Sequence, residues 1–268
     1  MLVQNNVFVI TGAGGGIGRA LTMHLLSMGA KVAAVDYNEK ALAETKKGAL
    51  DYKDNLSTYV CNITDKEAVM KLPKMIETAH GNVDGLINNA GIIQPFVKVD
   101  KLKDDAIEKV MNVNFYGTLY MIQAFLPLFH KRPSAHIINI SSMGGFMPIP
   151  GQTIYGASKA AVKLLTEGLY AELRDTNINV SVVFPGAIGT DISKNSGVTI
   201  NTTGNETQTQ KTLSPDEAAE IIVKGIEKDK YRILVGSDAK MLDRINRLMP
   251  KKGTNMVAKR MADLLKDS

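Results

Sequence analysis

The feature that most constrains this chain is Thr11-Gly12-Ala-Gly14-Gly15-Gly16-Ile17-Gly18, which follows the apolar run Val7-Phe-Val-Ile and precedes a helical periodicity over residues 20 to 28. Strand, glycine turn and helix, in that order, open a nucleotide-binding βαβ unit. Glycines are needed there because the backbone must turn tightly and approach a pyrophosphate with no Cβ in the way. The helix N-terminus then offers N–H groups and the positive end of its dipole. Gly12, Gly14, Gly15, Gly16, Ile17 and Gly18 are therefore candidate cofactor contacts. The plain alternative, a flexible loop between two elements, is disfavoured by the flanking pattern.

A second strand, residues 31 to 35, ends at Asp36, 18 residues beyond Gly18. A carboxylate at this place accepts hydrogen bonds from both hydroxyls of an adenosine ribose and repels a 2′-phosphate, so NAD is expected in preference to NADP. The competing reading is that Asp36 caps the helix beginning near Asn38. Further strand-like runs at 57–61, 83–87, 135–140, 178–184 and 231–235 alternate with helical stretches. That alternation predicts an α/β fold: one Rossmann-type, doubly wound domain over residues 1–240, with a seven-stranded parallel sheet and helices on both faces. Residues 102 to 130 read as one long helix, and Thr64-Asp-Lys-Glu67 and Ser214-Pro-Asp-Glu217 as helix starts with capping boxes.

In open sheets of this kind ligands sit at the carboxyl ends of the strands. Three such ends carry polar or glycine-rich segments: Asn88-Asn89-Ala90-Gly91, Ser141-Ser142-Met143, and Pro185-Gly186-Ala-Ile188-Gly189-Thr190. After the second of these, Tyr155 and Lys159 lie four apart on a helical stretch, so they share one face. A cation near a phenol favours phenolate and lowers its pKa toward ambient pH, which suits a proton carrier in alcohol/ketone interconversion. Asn114, inside the long helix among apolar neighbours, is either a structural hydrogen-bonder or part of a polar relay. The polar, irregular stretch from Thr190 to residue 213 reads as a substrate lid rather than an inert linker.

At 268 residues the chain fits one large α/β domain as readily as two small ones, and 44% hydrophobic content suffices for a sizeable core of a soluble protein. Cys61 has no internal disulfide partner and reads as a small buried hydrophobe, consistent with a reducing, cytoplasmic setting. The four histidines show no metal-ligand spacing, so no metal is proposed. The start of the chain lacks the basic and apolar pattern of a signal peptide, and no run of about 18 apolar residues follows. From residue 241 onward there are seven Lys/Arg against three Asp, which accounts for four of the five net positive charges. The rest of the chain is nearly neutral, which argues against a nucleic-acid-binding face. Residues 241–268 combine helical apolar spacing with basic residues, as in a helix lying on a membrane surface; packing on a neighbouring subunit is the alternative.

Together Thr11-Gly-x-x-x-Gly16-Ile-Gly18, Asn88-Asn-Ala-Gly91, Asn114-x-x-Gly117, Ser142, Tyr155-x-x-x-Lys159 and Pro185-Gly186-x-x-x-Thr190 resemble the short-chain dehydrogenase/reductase family across roughly residues 6 to 236. The resemblance implies hydride transfer between NAD(H) and a substrate carbon. Tyr155 would carry the proton, Ser142 would hold the substrate oxygen, and Ser141 would be structural. Lys159 would bind the nicotinamide ribose and lower the Tyr155 pKa, and Asn114 would hold a water of a proton relay. Asn89, Ala90 and Gly91 belong to the expected cofactor set, and Pro185, Gly186, Ile188 and Thr190 would flank the nicotinamide amide. The family often has Asp where Asn62 stands, beside Ile63, contacting adenine; an amide oxygen can accept the same hydrogen bond. Ile93, Met143, Phe146 and Met147 suggest an apolar wall for an alcohol, ketone or aldehyde substrate, plain packing being the alternative. A homodimer or homotetramer is implied. Two other readings are a non-catalytic nucleotide-binding scaffold and cofactor-independent haloalcohol chemistry on the same fold.

Overall fold

The computed structural model describes residues 1–198 and 212–262. Seven strands form one sheet: β1 (Val7–Thr11), β2 (Lys31–Asp36), β3 (Leu56–Val60), β4 (Gly85–Asn88), β5 (Ala135–Ile140), β6 (Ile178–Pro185) and β7 (Arg232–Val235). All pairings are parallel, in the order β3-β2-β1-β4-β5-β6-β7. The order reverses between β1 and β4, so the connections leave these two strands in opposite directions and open a crevice at their carboxyl ends.

Helices cover both faces, which is why β1, β4 and β5 are buried along their whole length and read as continuous apolar runs. On one face α1 (Gly16–Ser27) and α8 (Pro215–Glu227) bring Leu21, Leu25, Ile222 and Ile226 against Phe8, Ile10 and Ile138. On the other, α3 (Lys66–His80), α5 (Thr118–Phe129) and α6 (Thr153–Leu173) pack Leu72, Ile76, Phe125, Phe129 and Leu169 against Val9, Leu86, Ile137 and Val180. α2 (Glu39–Gly48) flanks β2. The predicted single-domain, seven-stranded parallel architecture is the one observed.

Local details differ from the sequence reading. The long helix begins at Asp104 rather than 102, as α4 (Asp104–Met111), and passes through a π-helical segment at Asn112–Gly117 before α5. The 64–67 signal is shifted by one residue: Asp65, not Thr64, caps α3 by accepting from Ala68 N. The box at Ser214 and Glu217 is present in both directions. The stretch expected to be irregular contains a helical turn, α7 (Ile192–Asn195), and the greater part of the expected lid, residues 199–211, lies outside the described residues. The expected boundary after residue 240 falls inside α9 (Ser237–Leu248), which is followed by α10 (Pro250–Arg260). No helix among the described residues is long and apolar enough to cross a membrane.

His136, on β5, is fully buried beneath the sheet. Ser181 Oγ donates to Lys230 O, so His136 Nε2 donates to Ser181 at 2.8 Å and Nδ1 has no hydrogen-bond partner among the described residues. Asp229 Oδ1 stands 3.7 Å from Nδ1, but the Met1 ammonium sits 2.7 Å from the same oxygen. Burial therefore dominates and pulls the imidazole pKa down to about 4. A base with a depressed folded-state pKa costs stability as pH falls, because the unfolded chain takes the proton near pH 6.5 and the folded chain does not. Between pH 7 and 4.5 this linkage should remove roughly 2 to 3 kcal/mol of unfolding free energy. Denaturant unfolding of the wild type and His136→Gln checks it: the variant should show the smaller loss over that interval, and equal losses would refute the assignment.

Candidate active site

The glycine turn is built by close approach. Gly12 has φ +67°, and a Cβ there would lie 2.9 Å from Ala90 Cα. A Cβ at Gly18 would lie 2.1 Å from Gly12 O, so α1 can begin beneath the turn only with glycine at that place. Thr11 Oγ1 accepts from Asn89 N and Ala90 N, and Asn89 Nδ2 donates to Thr11 O and Gly12 O. Asn89 thus joins the ends of β1 and β4. The N-terminus of α1 has neither a side-chain cap nor an acidic residue, which leaves its first N–H groups for an anion. A cavity of about 450 Å³ opens beside it, lined by Gly16, Arg19, Ile188, Thr190 and Asp216 among others.

Asp36 does not cap α2. Asn38 does, accepting from Ala41 N, while Asp36 Oδ2 accepts from Gly14 N and Oδ1 from Asn38 N, both at 2.9 Å. The carboxylate is half-buried, and each oxygen retains a lone pair for a further donor. Asn62 is placed less favourably than expected: its Oδ1 accepts from both Thr64 N and Thr64 Oγ1, so the oxygen expected to meet adenine is already engaged. Its neighbour Ile63 is buried beneath Gly117 of the π segment.

The other strand ends converge on α6. Ser141 Oγ donates to Lys159 O at 2.7 Å and is buried, the structural role expected of it. Ser142 Oγ accepts from Gly144 N, and it stands with the Tyr155 ring over Gly144, where a Cβ would lie 3.4 Å from both. Lys159 Nζ donates to Ile140 O at 2.9 Å, and a Cβ at Gly91 would come within 3.0 Å of the same nitrogen. Asn114 is fully buried; its Oδ1 accepts from Ile92 N, and its Nδ2 donates to Ile92 O and Ser158 Oγ. Of the two readings of Asn114, structural hydrogen bonding accounts for every polar contact its side chain makes.

One electrostatic expectation is corrected. Tyr155 is held above its ordinary pKa, because burial disfavours the phenolate, and the hydrogen bond from Ser142 opposes this only in part. Lys159 does not figure among the groups that shift it. The lysine is itself buried, and desolvation draws its pKa down to about 8.

Several contributors were not visible in the sequence. Gln94 is fully buried; its Oε1 accepts from Ile154 N and Tyr155 N, its Nε2 donates to Gly151 O, and its carbonyl accepts from Gln152 Nε2. It therefore holds the first turn of α6, where Tyr155 sits. Asp238 of α9 accepts from Ala187 N at 2.7 Å and fills the space a side chain at Gly186 would need, bracing the segment after Pro185. Ser196 Oγ, just past α7, accepts from Ile93 N, and Asn195 lies over Gly15, so this segment crosses from the glycine turn to the loop after β4. Met143 and Ile93 are half-buried, and Phe146 stacks edge-on against Phe184. Met147 is a correction: it is wholly buried against Gly253 of α10 and packs the loop rather than facing open space.

The family model for short chain dehydrogenase matches residues 6–201. The chain belongs to the short-chain dehydrogenase family. The Mycobacterium tuberculosis oxidoreductase SadH is 35% identical over 265 residues, 95% of each chain, and a Staphylococcus aureus oxidoreductase is 33% identical over 86% of this chain and 94% of its own. Among solved short-chain dehydrogenases, one from Burkholderia phymatum in complex with NAD superimposes with TM-score 0.82 at 26% identity, covering 92% of this chain and 96% of that one. One from Burkholderia cenocepacia in complex with NADP gives 0.81 at 26%, covering 96% and 99%. The protein is accordingly an oxidoreductase of the short-chain dehydrogenase fold, and both dinucleotides occur among its structural neighbours.

A buried cation with so depressed a pKa makes the folded short-chain dehydrogenase less stable at neutral pH than an apolar residue in that place would. Lys159→Met should raise the unfolding free energy at pH 7 by roughly 1 to 3 kcal/mol, part of the gain being offset by the lost bond to Ile140 O. Urea unfolding measures it. A less stable variant would show that the lysine is well solvated or well paired in the ligand-free protein.

Proposed function

We propose that the protein interconverts an alcohol and a ketone or aldehyde of mostly apolar character with NAD(H), using Tyr155 as general acid/base. The observation that carries this reading is the placement of the Ser142 hydroxyl and the Tyr155 ring together over Gly144 at the carboxyl edge of the sheet, with the Lys159 ammonium buried beside Gly91. NAD(H), when bound, supplies or accepts the hydride.

The residues fit such a cofactor. Gly12, Gly14, Gly15, Gly16, Ile17 and Gly18 with the uncapped start of α1 would hold its pyrophosphate, the glycines at 12 and 18 letting the turn close against Ala90 and Gly12 O where a Cβ would clash. Asp36 would take the adenosine ribose hydroxyls. Asn89, Ala90 and Gly91 with Lys159 would hold the second ribose, and Pro185, Gly186, Ile188 and Thr190 the nicotinamide amide.

Ser142 then donates to the substrate oxygen and fixes it against the Tyr155 phenol. In reduction Tyr155 gives its proton to that oxygen; in oxidation it takes the proton away. A phenol that burial keeps protonated is ready for the reductive direction, and oxidation requires positive charge near Tyr155 to make the phenolate accessible. Lys159 is the nearest source of that charge on the helix. Asn114, Gln94 and Ser141 act as positioning residues that hold α6 at its distance from the strand ends. A non-catalytic scaffold would have no use for a desolvated ammonium on the same helix turn as a tyrosine that faces Ser142, which weighs against that alternative.

Cofactor choice tests the Asp36 part of the proposal. Asp36→Asn keeps an amide oxygen for Gly14 N but removes the charge that repels a 2′-phosphate. With a ketone substrate accepted by the wild type, NADH should be preferred over NADPH, and the variant should lose at least about tenfold of that preference in kcat/KM, a change of about 1.4 kcal/mol in discrimination. An unchanged ratio would remove Asp36 from the ribose site.

A further inference from the structure

The C-terminal helix pair presents a surface that the oxidoreductase reading does not use. α9 is anchored from within: Ala239, Leu242 and Asp243 are buried, and Asp243 pairs with Arg232 at 2.9 Å and Arg247 at 3.0 Å. α10 turns back at Met249 and sets Gly253 against Ile245 and Met147, with a Cβ there only 3.0 Å from Ile245 Cγ2 and 2.9 Å from Met147 Cε. The pair is therefore a fixed part of the fold, seated on the loop that follows Ser142.

Its outer side is apolar and basic at once. Met241 and Leu248, seven apart, share the face of α9 turned from the body, and Leu248 is 78% exposed at the end of it. Met249 and Met256 add further exposed apolar surface around the turn. Between residues 244 and 262 stand Arg244, Arg247, Lys251, Lys252, Lys259 and Arg260, with no Asp or Glu. All six are exposed, and apart from Arg247 none pairs with a carboxylate among the described residues.

We propose that this α9–α10 surface docks the protein onto an anionic lipid membrane, the apolar side chains entering the interfacial layer and the cations meeting lipid phosphates. Two physical arguments select this occupant. A symmetric contact with a second copy would set the same cations against each other, because a two-fold interface uses one patch on both sides. A nucleic acid would pair with the charges but would leave Leu248, Met249 and Met256 against water. An amphipathic helix with a basic polar face and exposed large apolar residues satisfies both halves at a membrane surface. Docking does not depend on the reaction assigned to Tyr155.

Sedimentation of full-length protein with vesicles tests the proposal, using phosphatidylcholine alone and phosphatidylcholine mixed with phosphatidylglycerol. Binding should require the anionic lipid and should fall at least about fivefold in about 0.5 M salt, where charges are screened beyond a few Å. Leu248→Glu and the double substitution Lys251→Glu/Lys252→Glu should each weaken it by a similar factor, with thermal unfolding and the mass measured by light scattering unchanged. No partitioning, or equal and salt-insensitive partitioning onto both vesicle types, would overturn the proposal. So would a lower mass for Leu248→Glu, which would assign this face to contact between copies of the chain.

Discussion

The clamp between the ends of β1 and β4 is the contact on which the rest of the site depends. Thr11 Oγ1 takes two backbone N–H groups from the neighbouring strand end, and the Asn89 amide returns two bonds to the glycine turn. These are buried or half-buried backbone groups that the sheet ladder has stopped serving, and each would be costly if left unpaired. Because the clamp lies where the strand order reverses, it draws the turn and the β4 end together just where the crevice opens. Gly12 and Gly18 are the steric condition for that closeness, since side chains at either place would strike backbone.

A second set of buried polar contacts fixes α6 relative to this clamp. Gln94 satisfies N–H groups in its first turn, Asn114 joins Ile92 to Ser158, and Ser141 takes the carbonyl of Lys159. Asn114 sits in the π-helical segment, a local departure from α geometry of the kind that often accompanies functional sites. The result is a tyrosine whose burial opposes ionisation and a lysine whose burial opposes its charge. At neutral pH the tyrosine stays protonated, and the lysine, with its pKa drawn down to about 8, stays mostly charged at a cost in desolvation. The fold tolerates this because strands and helices around the site bury a large apolar core on either face.

The fold, and the convergence of the candidate residues on one sheet edge, were legible in the sequence for physical reasons. A glycine turn between strand and helix is a local backbone requirement, and strand ends deliver their following residues to one edge whatever the side chains are. What escaped reading depends on contacts distant in sequence. Gln94 looks like any polar loop residue until α6, about 60 positions later, brings its N-terminus against it. Asp238 braces Ala187 across 51 positions, and the same helix carries the boundary that composition placed after residue 240. The expected depression of the Tyr155 pKa failed because helical spacing says which face a lysine shares and not where its ammonium is spent; Ile140 O takes its hydrogen bond. The engagement of Asn62 was likewise not visible, its oxygen being used by Thr64 two residues on, as Asn side chains in turns commonly do.

The central claim is that Tyr155 moves the proton in the reaction, while the glycine turn, Asp36 and Lys159 carry most of the cofactor's binding. Single-turnover oxidation of bound NADH by an accepted ketone, compared between wild type and Tyr155→Phe, tests it most directly. The phenyl ring keeps the packing of α6 and removes only the hydroxyl. NADH affinity should stay within about twofold while the rate of nicotinamide oxidation falls by about a thousandfold, the scale of a lost general acid. Oxidation at a rate near that of the wild type, with NADH bound as tightly, would contradict the account.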